Sequence, residues 1–339
     1  MRRFTSDFAQ SIPHDVGVRY FTHLTRSLYA SGSRFHNPLL DEDLEQEFKR
    51  KLDPVREEFA AHKACNHSFF DYLKEQSKVG FTPEQYAIYR ANFFHRTQLT
   101  APSVAKLAAE AALLEDHETA AFAAKNLSDE TGNGDPTKTH GGLLLRSHNT
   151  HGLRVFSLDP IKSLADSADS PLLVPAVKDY RRAKIHALSD RTSYAYKAGN
   201  TWAHEFAADG MLNNFNAAFF DPYKSHYTEA EYKRMIEFFT AHNDPTKEDG
   251  DIEAQHERMH REIAERACKD SIKNIEEVRR GGLDFLNHQA QLWTAMEEKI
   301  KAAYRENEVI PLSPPNRTIS PTDAAAASTT KHTSHSHTF

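Results

Sequence analysis

Apolar residues recur at steps of three and four along most of this chain, and this spacing restricts the fold more than any other feature. Between residues 41 and 304 such helical stripes follow one another, as at Val104, Leu107, Ala111 and Leu114. No segment alternates with the two-residue period of a half-buried strand, and no Asn-Gly turn lies between two such runs. The pattern therefore predicts an all-α fold for this part of the chain.

Two helix starts carry the sequence signature of a capping box. The run from Thr82 to Gln85 supplies a capping hydroxyl, a first-turn proline and an amide, and predicts a helix through about Thr100. A second box at residues 228–231 predicts a helix that carries His242 on its apolar face. Well-signed starts of this kind support the all-α interpretation.

The two ends of the chain differ from this helical region. Residues 1–40 mix Gly, Ser, His and Pro and are predicted to form an N-terminal arm, through which a homodimer could assemble. Residues 309–339 are rich in Pro, Ala, Ser, Thr and His, a composition that buries too little apolar surface to order itself. The sequence thus predicts an arm, one helical domain over residues 41–308, and a disordered tail.

Charge, hydropathy and cysteine content exclude several function classes. A net charge of −6 offers no basic surface for nucleic acid. No stretch reaches the roughly 20 apolar residues that cross a bilayer, and no signal peptide is evident, so we expect a cytoplasmic protein without a membrane partner. Cys65 and Cys268 lie in no disulfide or zinc spacing. The chain instead holds 20 histidines, which directs attention to imidazole as a metal ligand.

The segment from Ala123 to His140 brings a carboxylate and an imidazole to one turn. Glu130 continues the apolar helical face of Ala123 and Leu127, and two glycines then break the helix. Asp135 before a proline predicts a new helix start, which places His140 on an inner face. The alternative is a solvated acid at a helix end and a core histidine bonded to a carbonyl.

Glu205 lies on the apolar face of a long helix predicted from about Tyr194 to Phe220. A buried carboxylate costs on the order of several kcal/mol unless it is paired or bound to a cation. Positive charge is therefore expected beside it, either as a metal ion or as an ion pair with Arg or Lys of another helix.

A third element adds further imidazole and carboxylate groups. His242 ends an apolar stripe, and after an insertion Glu253, His256 and His260 share one helical face. A Glu-x-x-His step of three can bring both side chains to one metal, and the alternative is a solvated face. Over the three elements, six donors of this kind suit Fe(II), Mn(II) or Zn(II), and their number favours two iron ions over one zinc.

These motifs resemble those of the haem-oxygenase-like di-iron oxidases, a superfamily of seven-helix bundles that bind non-haem iron rather than haem. The sequence Asp-Glu-Thr-Gly-x-Gly with Glu130, followed by His140, is similar to the family's first ligand pair, and Glu205 is similar to its lone central glutamate. The later His-x-x-x-Asp/Glu-x-x-His element departs, because the insertion at residues 243–252 separates its first histidine from the rest. The resemblance covers residues 60–292.

The resemblance implies an all-α bundle of about seven core helices with extra N-terminal helices, and a centre of two Fe(II) per chain. The implied ligands are Glu130, His140, Glu205, His242, Glu253 and His256, with His260 as the substitute for His242.

The implied reaction is O2 activation to oxidise a small amine- or amino-acid-derived metabolite by N-oxygenation, C–C cleavage or desaturation. The resemblance also allows an external electron donor for this reaction. Arg146 and Arg181 are the candidates to bind a substrate carboxylate. The alternatives are a metal-free thiaminase-like or quinone-synthase-like enzyme on the same bundle, and a non-catalytic helical binding protein.

Overall fold

The structure is a computed structural model that describes residues 38–242, 252–268 and 271–314. Side chains are described from Arg50 onward, except those at positions 241, 252–254 and 272. Contacts divide the chain into two units, Met1–Glu47 and Phe48–Phe339, and the site described below belongs to the second.

The described residues form twelve α-helices and no β-strand, which confirms the all-α prediction. The helices are α1 (Pro38–Ala61), α2 (Ser68–Gln76), α3 (Pro83–Thr97), α4 (Thr100–Leu113), α5 (His117–Glu130), α6 (His140–Phe156), α7 (Pro175–Ala187), α8 (Tyr194–Phe215), α9 (Glu229–Met235), α10 (Glu237–His242), α11 (Ile252–Ala267) and α12 (Ile272–Ala302). No helix in the described ranges is both long and apolar enough to cross a lipid bilayer.

Helix α8 lies at the centre of the bundle. It packs against α4, α7, α10, α11 and α12, and almost every side chain in its first four turns is buried. A helix enclosed on all sides has no solvent face on which to place polar groups. Each acid or imidazole in these first four turns of α8 must therefore find its partner inside the protein.

Glycines allow α8 and α12 to cross with their backbones in contact. A Cβ atom added at Gly199 of α8 would overlap the carbonyl group of Val278, and one added at Gly281 of α12 would overlap the carbonyl group of Tyr196. Because the obstructing atoms belong to the backbone, no rotamer change can relieve the overlap. The close approach of these two helices thus depends on both glycines.

Replacing Gly199 with alanine is expected to lower the free energy of unfolding by about 1–3 kcal/mol, because the added methyl group overpacks the crossing. Gly210 on the same helix provides the matched control, since a Cβ there meets no atom within 4 Å. Gly210→Ala should raise stability by about 1 kcal/mol through helix propensity. Urea unfolding of both variants checks the pair, and equal effects of the two substitutions would contradict the crossing argument.

Both predicted capping boxes are present, but several helix boundaries differ from those predicted. The helix expected through Thr100 ends at Thr97, and Thr100 begins α4. Leu114 is 63% exposed because α4 ends just before it. The predicted helix leading to His242 is divided at Ile236 into α9 and α10, and the last predicted turns of α8 form a π-helical turn, Asn216–Phe220.

The ends of the chain are described only in part. Residues 1–37 and 315–339 lie outside the described residues, so the arm and most of the tail stay predictions. The first residues of the predicted tail, however, lie against the helical domain. Ile310 donates its backbone N–H to the carbonyl oxygen of Phe81 at 3.0 Å, and Ser225 Oγ donates to the carbonyl oxygen of Leu312 at 2.8 Å. The ordered region therefore continues past the predicted boundary at residue 308.

Candidate metal centre

The turn between α5 and α6 places the first two candidate ligands. Helix α5 ends at Glu130, and Gly132 follows with a φ of +84°, where a Cβ would overlap the Asp135 carbonyl. Asp135 caps only a short 3-10 turn, contrary to the prediction that it begins the next helix. Thr139 caps α6 instead, because its Oγ1 accepts a hydrogen bond from the third backbone N–H of that helix at 3.1 Å. Helix α6 thus begins at His140.

Glu130, His140 and His242 form a cluster, which we call the triad. One ligand atom from each lies within 4.8 Å of the other two. His140 Nδ1 is 3.1 Å from Glu130 Oε1, and the His140 and His242 rings lie 4.3 Å apart. His242 Nδ1 donates to the Phe238 carbonyl oxygen at 2.5 Å, which leaves Nε2 as its ligand nitrogen. The three donors therefore suit one metal ion.

The charge states of Glu130 and His242 are those that a metal requires. Burial acts to raise the pKa of Glu130, but the hydrogen bond from His140 and the imidazoles of His140, His242 and His256 together lower it. Burial lowers the pKa of His242 to about 3, so its ring is neutral near pH 7. An ionised carboxylate and a neutral imidazole are the forms in which these groups bind a cation.

Glu205 and His256 form a second group beside the triad. Glu205 Oε2 lies 3.7 Å from His256 Nδ1, and His256 Nε2 lies 3.4 Å from Asp129 Oδ2. Glu205 is 4% exposed and His256 is 1% exposed, so the solvated face considered for this motif does not apply to His256. Within the described part of the chain, the ion-pair partners of Glu205 are histidines rather than arginine or lysine.

Two residues of this second group were not singled out by the sequence. Asp129 entered the analysis only as the residue before Glu130, yet its carboxylate contacts His256. His204 directly precedes Glu205 on α8, and its Nδ1 lies 3.9 Å from Glu205 Oε1. Neither of those two atoms has a hydrogen-bond partner among the described residues. The helical spacing in the sequence did not indicate that the first four turns of α8 are enclosed by other helices. On such a helix two adjacent residues, here His204 and Glu205, both face protein.

The structure distinguishes His242 from His260, the two candidates for one ligand position. His242 lies in the triad, whereas His260 Nε2 is 3.0 Å from Asn126 Nδ2 and is fully buried. Burial lowers the pKa of His260 to about 3. The side chain of Glu253 lies outside the described residues, so its assignment as a ligand stays a prediction.

A cavity of about 170 Å³ opens beside both groups. The triad residues, His204 and Glu205 line it together with apolar side chains that include Phe93, Leu144 and Met211. Among the residues that the structure describes, Arg96 is the only arginine or lysine that lines the cavity, and it is 3% exposed. Carboxylates and imidazoles thus border a largely apolar space that Arg96 also lines, as in a small-molecule site.

The two arginines proposed from the sequence as a carboxylate clamp lie elsewhere. Arg146 projects from the outer side of α6, where its NH2 is 3.6 Å from Glu237 Oε2 and half of its side chain is exposed. Arg181 is half-buried on α7 and does not line the cavity. Arg146 is two residues from Leu144, about 200° around the helix, so it faces away from the site.

The cysteines do not contribute to this site. Neither Cys65 nor Cys268 lines the cavity. Burial raises the pKa of Cys65 to about 11 and that of Cys268 to about 12, so both are thiols rather than nucleophilic thiolates near pH 7. A cysteine nucleophile, which a metal-free thiaminase-like enzyme would use, therefore finds no support in the structure.

Comparison with solved structures shows a shared fold. Two crystal structures of a CADD-like protein of unknown function from Nostoc punctiforme PCC 73102 match at TM-scores of 0.55 and 0.54. They are 15% and 14% identical to this chain, cover 77% of it, and are themselves covered over 100% and 99% of their lengths. Proteins of this kind share the haem-oxygenase-like fold, so the resemblance drawn from the sequence is confirmed at the level of the fold.

A further structure is described as a domain of unknown function with a heme oxygenase-like fold from Shewanella denitrificans OS217. Its TM-score is 0.47 at 14% identity, with 79% of this chain and 95% of that chain covered, a likeness too weak to show a shared fold by itself. No family model matches the sequence, and no curated protein matches it. At these identities the likeness carries the fold and not the activity.

Proposed function

We propose that this protein is a non-haem di-iron oxygenase or oxidase that uses O2 to oxidise a small amine- or amino-acid-derived metabolite. The observation that carries the proposal is the buried triad of Glu130, His140 and His242, with Glu205 and His256 beside it. The triad and Glu205 line the same cavity, whose volume suits a small ligand.

The donor set fits the proposed metal. It consists of carboxylates and imidazoles, which suit Fe(II), and the two cysteines take no part. The triad would hold one ion, and Glu205 with His256 would hold the other, with Glu253 as a further ligand. Asp129 contacts the other ring nitrogen of His256 and would orient that ring. A buried carboxylate oxygen without a partner costs on the order of several kcal/mol, and Glu205 Oε1 is such an atom among the described residues. A bound cation would remove that cost.

Iron bound in its reduced form supplies the electrons for the reduction of O2. The remaining tasks fall to residues of this chain. The apolar side chains of the cavity exclude water from the reacting groups. The Arg96 guanidinium binds an anionic end of the substrate and so orients its other end toward the triad. A cavity of about 170 Å³ is smaller than the roughly 300 Å³ of drug-sized sites, which favours a small metabolite.

Iron binding and O2 consumption test the proposal. The full-length protein, freed of metal, is titrated with Fe(II) in the absence of O2, and bound iron is measured after desalting. The loaded protein is then mixed with O2 alone and with amines and amino acids in turn. We expect two ions per chain, and O2 consumption that a matching substrate accelerates. Failure to retain Fe(II) would exclude the di-iron interpretation.

Arg96→Gln is expected to weaken the binding of a carboxylate substrate about 10- to 100-fold, since hydrogen bonds to charged groups are worth about 1.5–3 kcal/mol. The iron content should be unchanged, because Arg96 is not among the proposed ligands. Binding is measured by the substrate concentration that gives half-maximal O2 consumption. Arg146→Gln is the control and should match the unaltered protein. The reverse ranking of the two variants would return the clamp to Arg146.

A further inference from the structure

A buried tyrosine and a buried histidine form a hydrogen-bonded pair behind the cavity. Tyr89 OH lies 3.1 Å from His148 Nε2, and neither side chain is exposed. His148 Nδ1 lies 3.0 Å from the Leu144 carbonyl oxygen, which can only accept a hydrogen bond, so Nδ1 carries the ring proton. Nε2 is therefore unprotonated, and the Tyr89 hydroxyl donates to it. Burial lowers the pKa of His148 to about 3, so the ring is neutral at rest.

This pair lies close to the candidate metal centre. Tyr89 stacks on Phe93 with the ring centres 5.6 Å apart, and Phe93 lines the cavity. His148 is on the same helix as the triad residue His140, at a rise of about 12 Å for eight residues. A redox-active phenol with its own proton acceptor thus stands one aromatic ring away from the place where O2 would be reduced.

Further aromatic groups continue from Tyr89 toward the surface. The Tyr86 ring lies 5.8 Å from that of Tyr89 and 5.3 Å from that of His151. His151 Nδ1 lies 2.9 Å from the hydroxyl oxygen of Tyr227, which is half-buried. The exposed Arg154 guanidinium covers the Tyr227 ring at 4.7 Å. Each ring is within about 6 Å of the next, and a second tyrosine–histidine pair stands at the outer end.

We propose that Tyr89, Tyr86 and Tyr227 form an electron path that delivers single electrons from a reductant at the protein surface to an oxidising equivalent left in the cavity, namely an oxygen radical such as the hydroperoxyl or hydroxyl radical, which the electron converts to hydroperoxide or hydroxide. This inference rests on the proposed function, because that function supplies the oxidant. Oxidation of a phenol needs a strong oxidant. The path therefore acts when O2 is reduced in the cavity while no substrate is bound. It does not serve the ordinary reduction of resting ferric iron.

The steps balance in electrons and protons. Tyr89 gives one electron to the oxidising equivalent, and its phenolic proton moves to His148 Nε2, which leaves a neutral tyrosyl radical and an imidazolium. An electron from Tyr227, passed by way of Tyr86, restores Tyr89, and the proton returns from His148. The Tyr227 proton meanwhile moves to His151. A one-electron reductant outside, such as a thiol or ascorbate, reduces the Tyr227 radical, and His151 returns its proton.

The path can be tested without metal. The full-length metal-free protein is mixed with a ruthenium polypyridyl complex and persulfate, flashed with light and frozen for electron paramagnetic resonance. Part of the tyrosyl radical signal is expected to come from Tyr89, so Tyr89→Phe should remove that part and Tyr227→Phe should reduce it several-fold, since the soluble oxidant reaches only the outer end. Tyr180→Phe is the control, because Tyr180 is equally buried but has no histidine partner among the described residues. An unchanged radical in Tyr89→Phe would overturn the proposal.

A second arm uses the iron-loaded protein and distinguishes the path from the proposed function. Loaded protein is exposed to O2 without substrate, and oxidation of the cavity residue Met211 is measured by peptide mass spectrometry. Tyr89→Phe and Tyr227→Phe should both accumulate Met211 sulfoxide several-fold faster than the unaltered protein and Tyr180→Phe. Equal rates in all four proteins would refute the path even if iron binding and O2 consumption are intact. Loss of iron binding alone would refute the function and leave the photochemical result to stand.

Discussion

Replacing Glu130 with alanine is expected to remove the iron ion from the triad and to abolish substrate-dependent O2 consumption. Glu130 is the only carboxylate of the triad, and it lies against His140 in a largely buried site. Groups that only orient a metal ligand through a hydrogen bond already contribute about 10- to 100-fold to metal affinity, so losing a ligand itself should cost at least that much. Bound iron per chain and O2 uptake measure the effect.

Glu118→Ala is the matched control for this prediction. Glu118 lies on the same helix, α5, but its side chain is 59% exposed and pairs with Arg266 at the surface. The variant should retain its full iron content and activity. If Glu130→Ala binds Fe(II) as tightly as the control, the triad is not a metal site, and the short contact between Glu130 and His140 is an internal ion pair instead.

Replacing Glu205 with glutamine is expected to have opposite effects on stability and on metal binding. In the metal-free protein the carboxylate is buried, and burial raises its pKa, which shows that the charged form is disfavoured there. An amide of the same shape carries no charge, so metal-free Glu205→Gln should be more stable by about 1–2 kcal/mol. The same change should remove the second iron ion, since a neutral amide is a poor ligand for it.

Urea unfolding in a chelator and iron analysis after loading measure the two effects together. Asp209→Asn on the same helix is the control, because Asp209 is half-buried and accepts a hydrogen bond from Asn213 away from the cavity. It should change neither quantity appreciably. A metal-free Glu205→Gln protein that is less stable than the unaltered one would show that His256 and His204 satisfy the carboxylate without a cation.

The residues that the sequence placed correctly are those whose direction depends on one helix alone. Glu130, His140 and Glu205 were expected to face inward because each continues an apolar stripe at steps of three and four. All three side chains are about nine-tenths or more buried. The helical period fixes which side of its own helix a residue occupies, and this information is local. The all-α fold was predictable for the same reason.

The features that the sequence did not predict depend on how separate helices meet. Nothing near Arg96 in the sequence distinguishes it from Arg146 or Arg181, yet only Arg96 reaches the cavity. The contact between Asp129 and His256 joins residues on α5 and α11 that are far apart in the chain. Whether His242 or His260 lies beside Glu130 and His140 likewise depends on where α10 and α11 pack. Such pairings follow from the packing angles of helices, which a helical period does not encode.

The backbone contact between α8 and α12 divides the site into parts that open at different rates. Amide hydrogens of α8 are enclosed by that crossing, so they should exchange with solvent only when the whole bundle unfolds. His242, by contrast, ends the six-residue helix α10, which has little hydrogen bonding of its own to protect. Iron would therefore enter and leave past His242 by a local opening, while the segment that carries Glu205 keeps its shape. Metal exchange then becomes far faster than unfolding.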